Sequence, residues 1–198
     1  MLLNDHQIKE LDLVSPFQSH LEGKNILSYG LSSFGYDVRI SSKELLATEP
    51  SSNPKTINPK WFSRIEAEEV MTSLSLQEDK NGQYFLLPPY AHALGVTVEY
   101  IQVPRNVLTV TLNKSTYRRC GLEVPTTVLE PEWEGYLTLE LKNQTPHYLQ
   151  VFAGEGICQL VSMQGQDCQQ SYNDRAGKYQ NQQPAVTFPR IENYGQHQ

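Results

Sequence analysis

The sequence has no apolar run approaching the roughly 20 residues that a membrane-spanning helix requires. Its opening, Met1-Leu2-Leu3-Asn4-Asp5-His6, lacks the charged-then-apolar order of a secretory signal. Cysteine is scarce: Cys120, Cys158 and Cys168 cannot all pair within one chain, and they show no close metal-type spacing. A soluble, reducing, cytoplasmic setting without a membrane partner is the expected default. Positive charge is in short supply too. Sixteen Lys and Arg against 22 Asp and Glu give a net charge of −6, which argues against a nucleic-acid partner. Any polyanion has to be met by a local basic cluster within an acidic whole.

Helical periodicity is also weak, whereas 12 Gly, 12 Pro and 11 Tyr among 198 residues favour a β-rich fold. The length suits one domain, 1–198, and a hydrophobic fraction of 38% is low but workable for its core. Asn4-Asp5-His6-Gln7-Ile8-Lys9-Glu10-Leu11 reads as a short helix capped by Asn4 or Asp5. In Tyr36-Asp37-Val38-Arg39-Ile40 the alternation predicts a strand bearing a surface Asp/Arg pair. Residues from about Thr48 to Pro59 read as a loop. Trp61 to Ser75 reads as a short helix, with Ile65, Val70, Met71 and Leu74 at roughly helical spacing and its glutamates on a solvated face. Short strands are expected over Ala91–Tyr100, Val107–Leu112, His147–Phe152 and Gly156–Met163. Many short strands punctuated by turns indicate a β-barrel or sandwich.

The densest chemistry lies between Asn113 and Leu141. Lys114, Ser115, Thr116, Arg118 and Arg119 form a knot of cations and hydroxyls that suits an anion. Glu130-Pro131-Glu132-Trp133-Glu134-Gly135 is an acidic turn carrying an aromatic plate. The strand after it places Leu137, Leu139 and Leu141 on one face and Tyr136, Thr138, Glu140 and Lys142 on the other. A carboxylate and a ring suit a polar heterocycle, so the whole stretch suits a nucleotide. From Gln164 onward aliphatic residues become rare. Residues 164–198 therefore read either as a polar tail or, because Tyr172, Arg175, Lys178 and Tyr179 can grip phosphate and stack on bases, as a lid re-anchored by Val186-Thr187-Phe188-Pro189.

Five segments in order resemble the dCTP deaminases, which belong with the trimeric dUTPases. They are Ser28-Tyr29-Gly30 with Gly35-Tyr36-Asp37-Val38-Arg39, then Lys114 to Gly121, then Glu130 to Glu140. Gly154-Glu155-Gly156-Ile157-Cys158-Gln159, and Tyr172 with Gly177-Lys178-Tyr179-Gln180, complete the series. The resemblance runs from about Ile26 to Ile191, with an apparent insertion between Pro59 and Gly82. It implies a distorted jelly-roll-like β fold, a homotrimer with active sites between subunits, and conversion of dCTP to dUTP and ammonia without a catalytic metal.

Residue by residue, it places the general acid/base on Glu140, the catalytic serine and arginine on Ser115 and Arg119, and a triphosphate-binding cation on Lys114. Glu130 falls where an acidic residue contacts the deoxyribose, with Trp133 as the aromatic beside it. Gln159, Tyr172, Lys178 and Gln182 match groups that hold the triphosphate. Mg²⁺ is implied as a companion of that triphosphate, and dTTP as a feedback inhibitor. Asn113 stands at a usual glycine, and Arg118 at a usual small residue. Arg118 therefore reads equally as a phosphate contact and as an inter-subunit ion pair. Pro125-Thr126-Thr127-Val128 departs from the family in the segment whose backbone reads the pyrimidine, and so bears on base selectivity.

A positioned carboxylate can relay protons for hydrolytic deamination, a contribution of about 10²–10⁴-fold. Zinc deaminases activate water with a metal instead and carry H-x-E paired with P-C-x-x-C. The chain does not contain that pair. His6, His20, His92, His147 and His197 stand singly and read as surface or packing residues. Asp37 reads as structural, and Cys120 as a small buried hydrophobe. Three alternatives stay open beside the deaminase: a bifunctional enzyme yielding dUMP and pyrophosphate, a plain dUTPase, and a catalytically silent nucleotide sensor.

Overall fold

A computed structural model describes residues 1–48 and 54–189. Part of the loop expected over 48–59, the end of the resemblance at Ile191, and His197 lie outside the described residues. The chain runs α1 (Asp5–Glu10), β1 (Val14–Ser15), β2 (Gly30–Ser32), β3 (Gly35–Thr48), α2 (Arg64–Glu68), β4 (Met71–Ser73), β5 (Leu76–Asp79) and β6 (Gly82–Leu87). It continues through β7 (His92–Gln102), β8 (Val107–Asn113), α3 (Ser115–Arg119), β9 (Leu122–Glu123), β10 (Val128–Leu129), β11 (Glu134–Asn143), β12 (Leu149–Phe152) and β13 (Gly156–Gln164). The fold is mainly β, as the turn-punctuated strands predict.

Strands β10-β8-β13-β3-β7-β11-β9 pair in that order, with β1 added to β7 and β2 and β4 added to β3. A second sheet runs β12-β6-β5. The pairings between these strands are antiparallel. The larger sheet curls because its long strands change partners along their length. In β3, residues 36–39 pair with β13, whereas Leu45–Ala47 pair with β7 after a register shift. In β11 the shift falls between Tyr136 and Thr138. There the Thr97 hydroxyl fills the gap in the ladder, accepting from the Leu137 amide at 2.9 Å and donating to the Glu99 carbonyl at 2.8 Å. Bulges of this kind bend a strand and re-aim its side chains.

Burial along β11 alternates as its sequence predicts: Leu137, Leu139 and Leu141 enter the core, and Glu140 and Lys142 face outward. Helix α1 forms with Asn4 as its cap and Gln7 completing a reciprocal capping box. Two local expectations are corrected. The helix foreseen over Trp61–Ser75 is only Arg64–Glu68, begun by a Ser63/Glu66 capping box. Beyond it, Met71-Thr72-Ser73 leaves the helix to pair with Leu46–Thr48 as an edge strand, because ladder bonds on β3 outweigh a weak helical preference. The second correction concerns the surface Asp37/Arg39 pair. Strand β3 is covered on both faces at this point, so Asp37 pairs with Lys114, and Arg39 donates from Nε to buried Glu99 at 2.7 Å.

Candidate active site

One face of β11 floors a cavity of about 460 Å³, well within the range of small-ligand sites. Thr138 and Glu140 point into it, flanked across the ladder by Leu94 and His92 of β7. The acidic turn forms one end. Glu132 takes a left-handed backbone (φ 63°) and turns the chain so that Glu130 and Trp133 both line the cavity. Trp133 is 4% exposed, and its indole N–H donates to the Tyr179 carbonyl at 3.0 Å.

The tail supplies the roof. Gln182 lies against Gly135, where an added Cβ would stand 2.6 Å from the Gln182 backbone nitrogen. The Gln182 side-chain oxygen accepts from the Thr138 hydroxyl at 2.8 Å and from its amide at 3.2 Å. Thr187 then donates its N–H to the Thr138 hydroxyl at 3.0 Å. Further along, Phe188 meets Phe62 edge-on with ring centroids 5.6 Å apart. Ion pairs hold the near end of the tail: Arg105 bridges Glu132 (2.9 Å) and Asp174 (2.7 Å), and Arg175 pairs with Glu130.

Of the residues singled out from the sequence, Thr127, Glu130, Trp133, Glu140, Tyr172 and Gln182 therefore share one cavity. Tyr179, named with Tyr172 as a stacking residue of the tail, lines it as well, whereas the remaining site candidates do not. Ser115, Thr116, Arg118 and Arg119 lie exposed on α3, which is pinned by the buried Tyr117, whose hydroxyl accepts from the Phe152 amide at 2.8 Å. Arg118 pairs with Glu123 of its own chain at 3.2 Å. Thr126 and Lys178 are exposed, and Gln159 donates to the Ser32 hydroxyl at 2.9 Å. Lys114 is turned inward, donating to Ser28 at 2.9 Å and paired with Asp37. Asn113 braces the turn before α3, its side chain accepting from the Val124 amide and donating to the Lys114 carbonyl. Among the described residues no hydrogen bond or ion pair joins Glu140 to Ser115 or Arg119.

Electrostatics follow burial. Desolvation raises the Asp37 carboxyl, against the opposing pull of the Lys114 ammonium. It also raises Glu99, against Arg39. Desolvation lowers the His92 imidazole, while the negative charge of Glu140 pulls the other way and Lys142 adds to the depression. Cys120 is exposed rather than buried, because it caps the open end of α3. Cys158 is the buried cysteine, and desolvation pushes its thiol far up, away from nucleophilic use. The single His-x-Glu triplet, His20-Leu21-Glu22, is a surface feature with His20 and Glu22 3.7 Å apart.

Sequence reasoning missed His92 and Phe62 as walls of the cavity, whereas it places Thr138 on the Glu140 face and Phe188 in the segment that re-anchors the tail. The pairing of Lys142 with His92 explains why. An outward residue on β7 becomes a wall only once β11 lies beside it, and Phe62 and Phe188 need the path of the tail.

Residues 2–165 match the family model described as dCTP deaminase-like. A dCTP deaminase from Helicobacter hepaticus is 41% identical over 194 residues, spanning 96% of this chain and 98% of its own. One from Granulibacter bethesdensis is 42% identical over 195 residues, spanning 96% and 99%. Among solved structures, a 2'-deoxycytidine 5'-triphosphate deaminase from Agrobacterium tumefaciens superposes with a TM-score of 0.54 at 15% identity. That match covers 83% of this chain and 48% of the Agrobacterium chain, and it shows the fold. On its sequence and its architecture, the chain belongs to the dCTP deaminase-like family.

Proposed function

We propose that this protein hydrolyses dCTP to dUTP and ammonia, with Glu140 as the proton-transferring group. The observation that carries the reading is the place of Glu140. It projects from the floor of a cavity whose end holds Thr127, Glu130 and Trp133, a set suited to a pyrimidine and its sugar. In the reaction a water oxygen bonds to the ring carbon bearing the amino group. Glu140 takes a proton from that water and returns it to the departing nitrogen; the carbon–nitrogen bond breaks and ammonia leaves. Glu130 would accept from the deoxyribose, with Trp133 packed beside it. Tyr172, Lys178 and Gln182 bring the tail, 164–198, down on the phosphates as a lid.

Ser115 and Arg119 would complete this site from a neighbouring copy, with Lys114, Thr116, Arg118 and Gln159 on the phosphate side. The outer face of the sheet supports a second copy. Leu108, Val110, Leu112, Val128, Val161 and Met163 stand side by side on the paired strands β8, β10 and β13, at half-buried or exposed positions. Contiguous apolar patches of this kind mark association surfaces. A homotrimer would place each α3 against the next chain's cavity. Mg²⁺ would arrive on the triphosphate, whose oxygens supply much of its coordination. Among the described residues no cluster of three or more His, Cys, Asp or Glu is gathered to hold a metal. By sharing sugar and phosphates with the substrate, dTTP would compete for the cavity. No described helix is long and apolar enough to cross a membrane.

The test is to incubate the protein with dCTP and Mg²⁺, and separately with dUTP, and to resolve ammonia, dUTP, dUMP and pyrophosphate. Ammonia with dUTP is expected. Ammonia with dUMP and pyrophosphate would identify a bifunctional enzyme. Pyrophosphate from dUTP without ammonia from dCTP would mean a dUTPase, and no turnover a sensor. Glu140→Gln should abolish ammonia release while nucleotide binding persists; an active Glu140→Gln enzyme removes Glu140 as the base.

A further inference from the structure

His92 has no part in the roles described so far, yet it shares the cavity with Glu140. Its backbone is fixed twice over. Lys142 of β11 stands directly opposite, and on the other side the Thr48 hydroxyl accepts from the His92 amide at 2.9 Å. Glu140 is two residues before Lys142 on the same outward face, so His92 and Glu140 are diagonal cross-strand neighbours. Such neighbours have backbones about 7–8 Å apart, within reach of long side chains. Among the described residues, the charges acting on the imidazole are Glu140 and Lys142 on β11, and the other titratable groups lining the same cavity are Glu130, Tyr172 and Tyr179. Thr48 at the end of β3 is uncharged.

We propose that His92 is a positioning residue for Glu140: neutral, it leaves the carboxylate free to face substrate and water, and protonated, it draws the carboxylate sideways into an ion pair. This rests on Glu140 being the proton-transferring group. The physical basis is the sign of the local charges. Although His92 stands at an exposed position at the start of β7, desolvation by the cavity walls and the charge of Lys142 both disfavour the imidazolium, so the ring is mostly neutral at pH 7. Acidification puts a cation beside the carboxylate, and an ion pair across the ladder competes with the geometry that hydrolysis needs. Among the described residues no other histidine lines the cavity.

Two variants and one spectroscopic measurement test the proposal. In His92→Gln the acid limb of the kcat profile for dCTP should move to lower pH by at least about half a unit. KM at pH 7.5 should stay within about twofold, since nothing is removed from the nucleotide's own contacts. His92→Lys, a permanent cation, should depress kcat about tenfold or more across the profile, again with little change in KM. Carbon-13 labelling of the histidines in the intact enzyme gives a readout apart from catalysis. The His92 imidazole should titrate below the ordinary histidine range, and lower still in Glu140→Gln, where the attracting charge is gone. Profiles of His92→Gln that superpose on wild type, or a His92 titration indifferent to Glu140→Gln, would overturn the proposal. If wild-type protein fails to deaminate dCTP, the parent reading falls and this role with it. If wild type is active but the variants are silent on pH, only the role of His92 fails.

Discussion

The ammonium of Lys114 is ion-paired with the carboxylate of Asp37 inside the fold, with only 10% and 9% of the two side chains exposed. Breaking such a pair on one side leaves a buried charge without a partner, which costs about 3–5 kcal/mol. Asp37→Asn is therefore expected to lower stability by about that amount in urea melts. Adding Lys114→Met should return most of the loss, because the double change removes the stranded charge. Equal destabilisation in the single and double variants would show that the two residues are not coupled.

Glu99 carries a pH signature. It is 0% exposed and held by Arg39, yet burial raises its carboxyl above the unfolded value. A raised carboxyl favours the folded state while protonated. Its contribution is complete below the unfolded pKa and is lost as pH rises through the folded one. Glu99→Gln presents a neutral amide to Arg39 at every pH and has no such titration. Its stability deficit against wild type should therefore be larger at pH 4 than at pH 7.5, measured by urea midpoints. A deficit that grows with pH would reverse the sign assigned here.

How much of this was legible beforehand differs between elements. The period-two alternation of β11 placed Leu137, Leu139 and Leu141 inside and Glu140 outside, because one face of an antiparallel strand meets the core. The acidic turn was equally plain. The partners of Asp37 and Arg39 were not, since Glu99, which pairs with Arg39, sits in a bulge of the neighbouring strand β7, and Lys114, which pairs with Asp37, comes from the turn before α3. Local alternation carries no record of such a bulge. The same holds for Phe62 and Phe188, which come from segments 126 residues apart and meet only because the tail crosses β11.

That crossing supports a third prediction. Phe188, Phe62 and Val186 belong to a small cluster with Leu46, Ala67, Met71 and Leu94, separate from the main core. An aromatic pair of this type contributes about 0.5–1.5 kcal/mol beyond its burial. Phe188→Ala should loosen the roof and raise KM for dCTP several-fold, with the global melt nearly unchanged. Truncation before Tyr172 should raise KM far more. If KM is indifferent to both changes, the tail is not a lid.

The separation of Glu140 from Ser115 and Arg119 within one chain leads to the last prediction. If a site takes its carboxylate from one copy and its hydroxyl and guanidinium from the next, no single chain needs both halves intact. Glu140→Gln and Ser115→Ala proteins should each be inactive alone. Unfolded together in equal amounts and refolded, they form mixed assemblies in which about a quarter of the sites pair an intact Glu140 with an intact Ser115, because each interface joins two chains drawn at random. Activity should recover to about that fraction of wild type. Val110→Glu, which puts a charge on the outer apolar face, should yield folded monomers by sedimentation with no deamination. No recovery on mixing, or an active monomer, would mean that each chain builds its site alone, and Ser115 and Arg119 would then have to reach Glu140 by a rearrangement of α3.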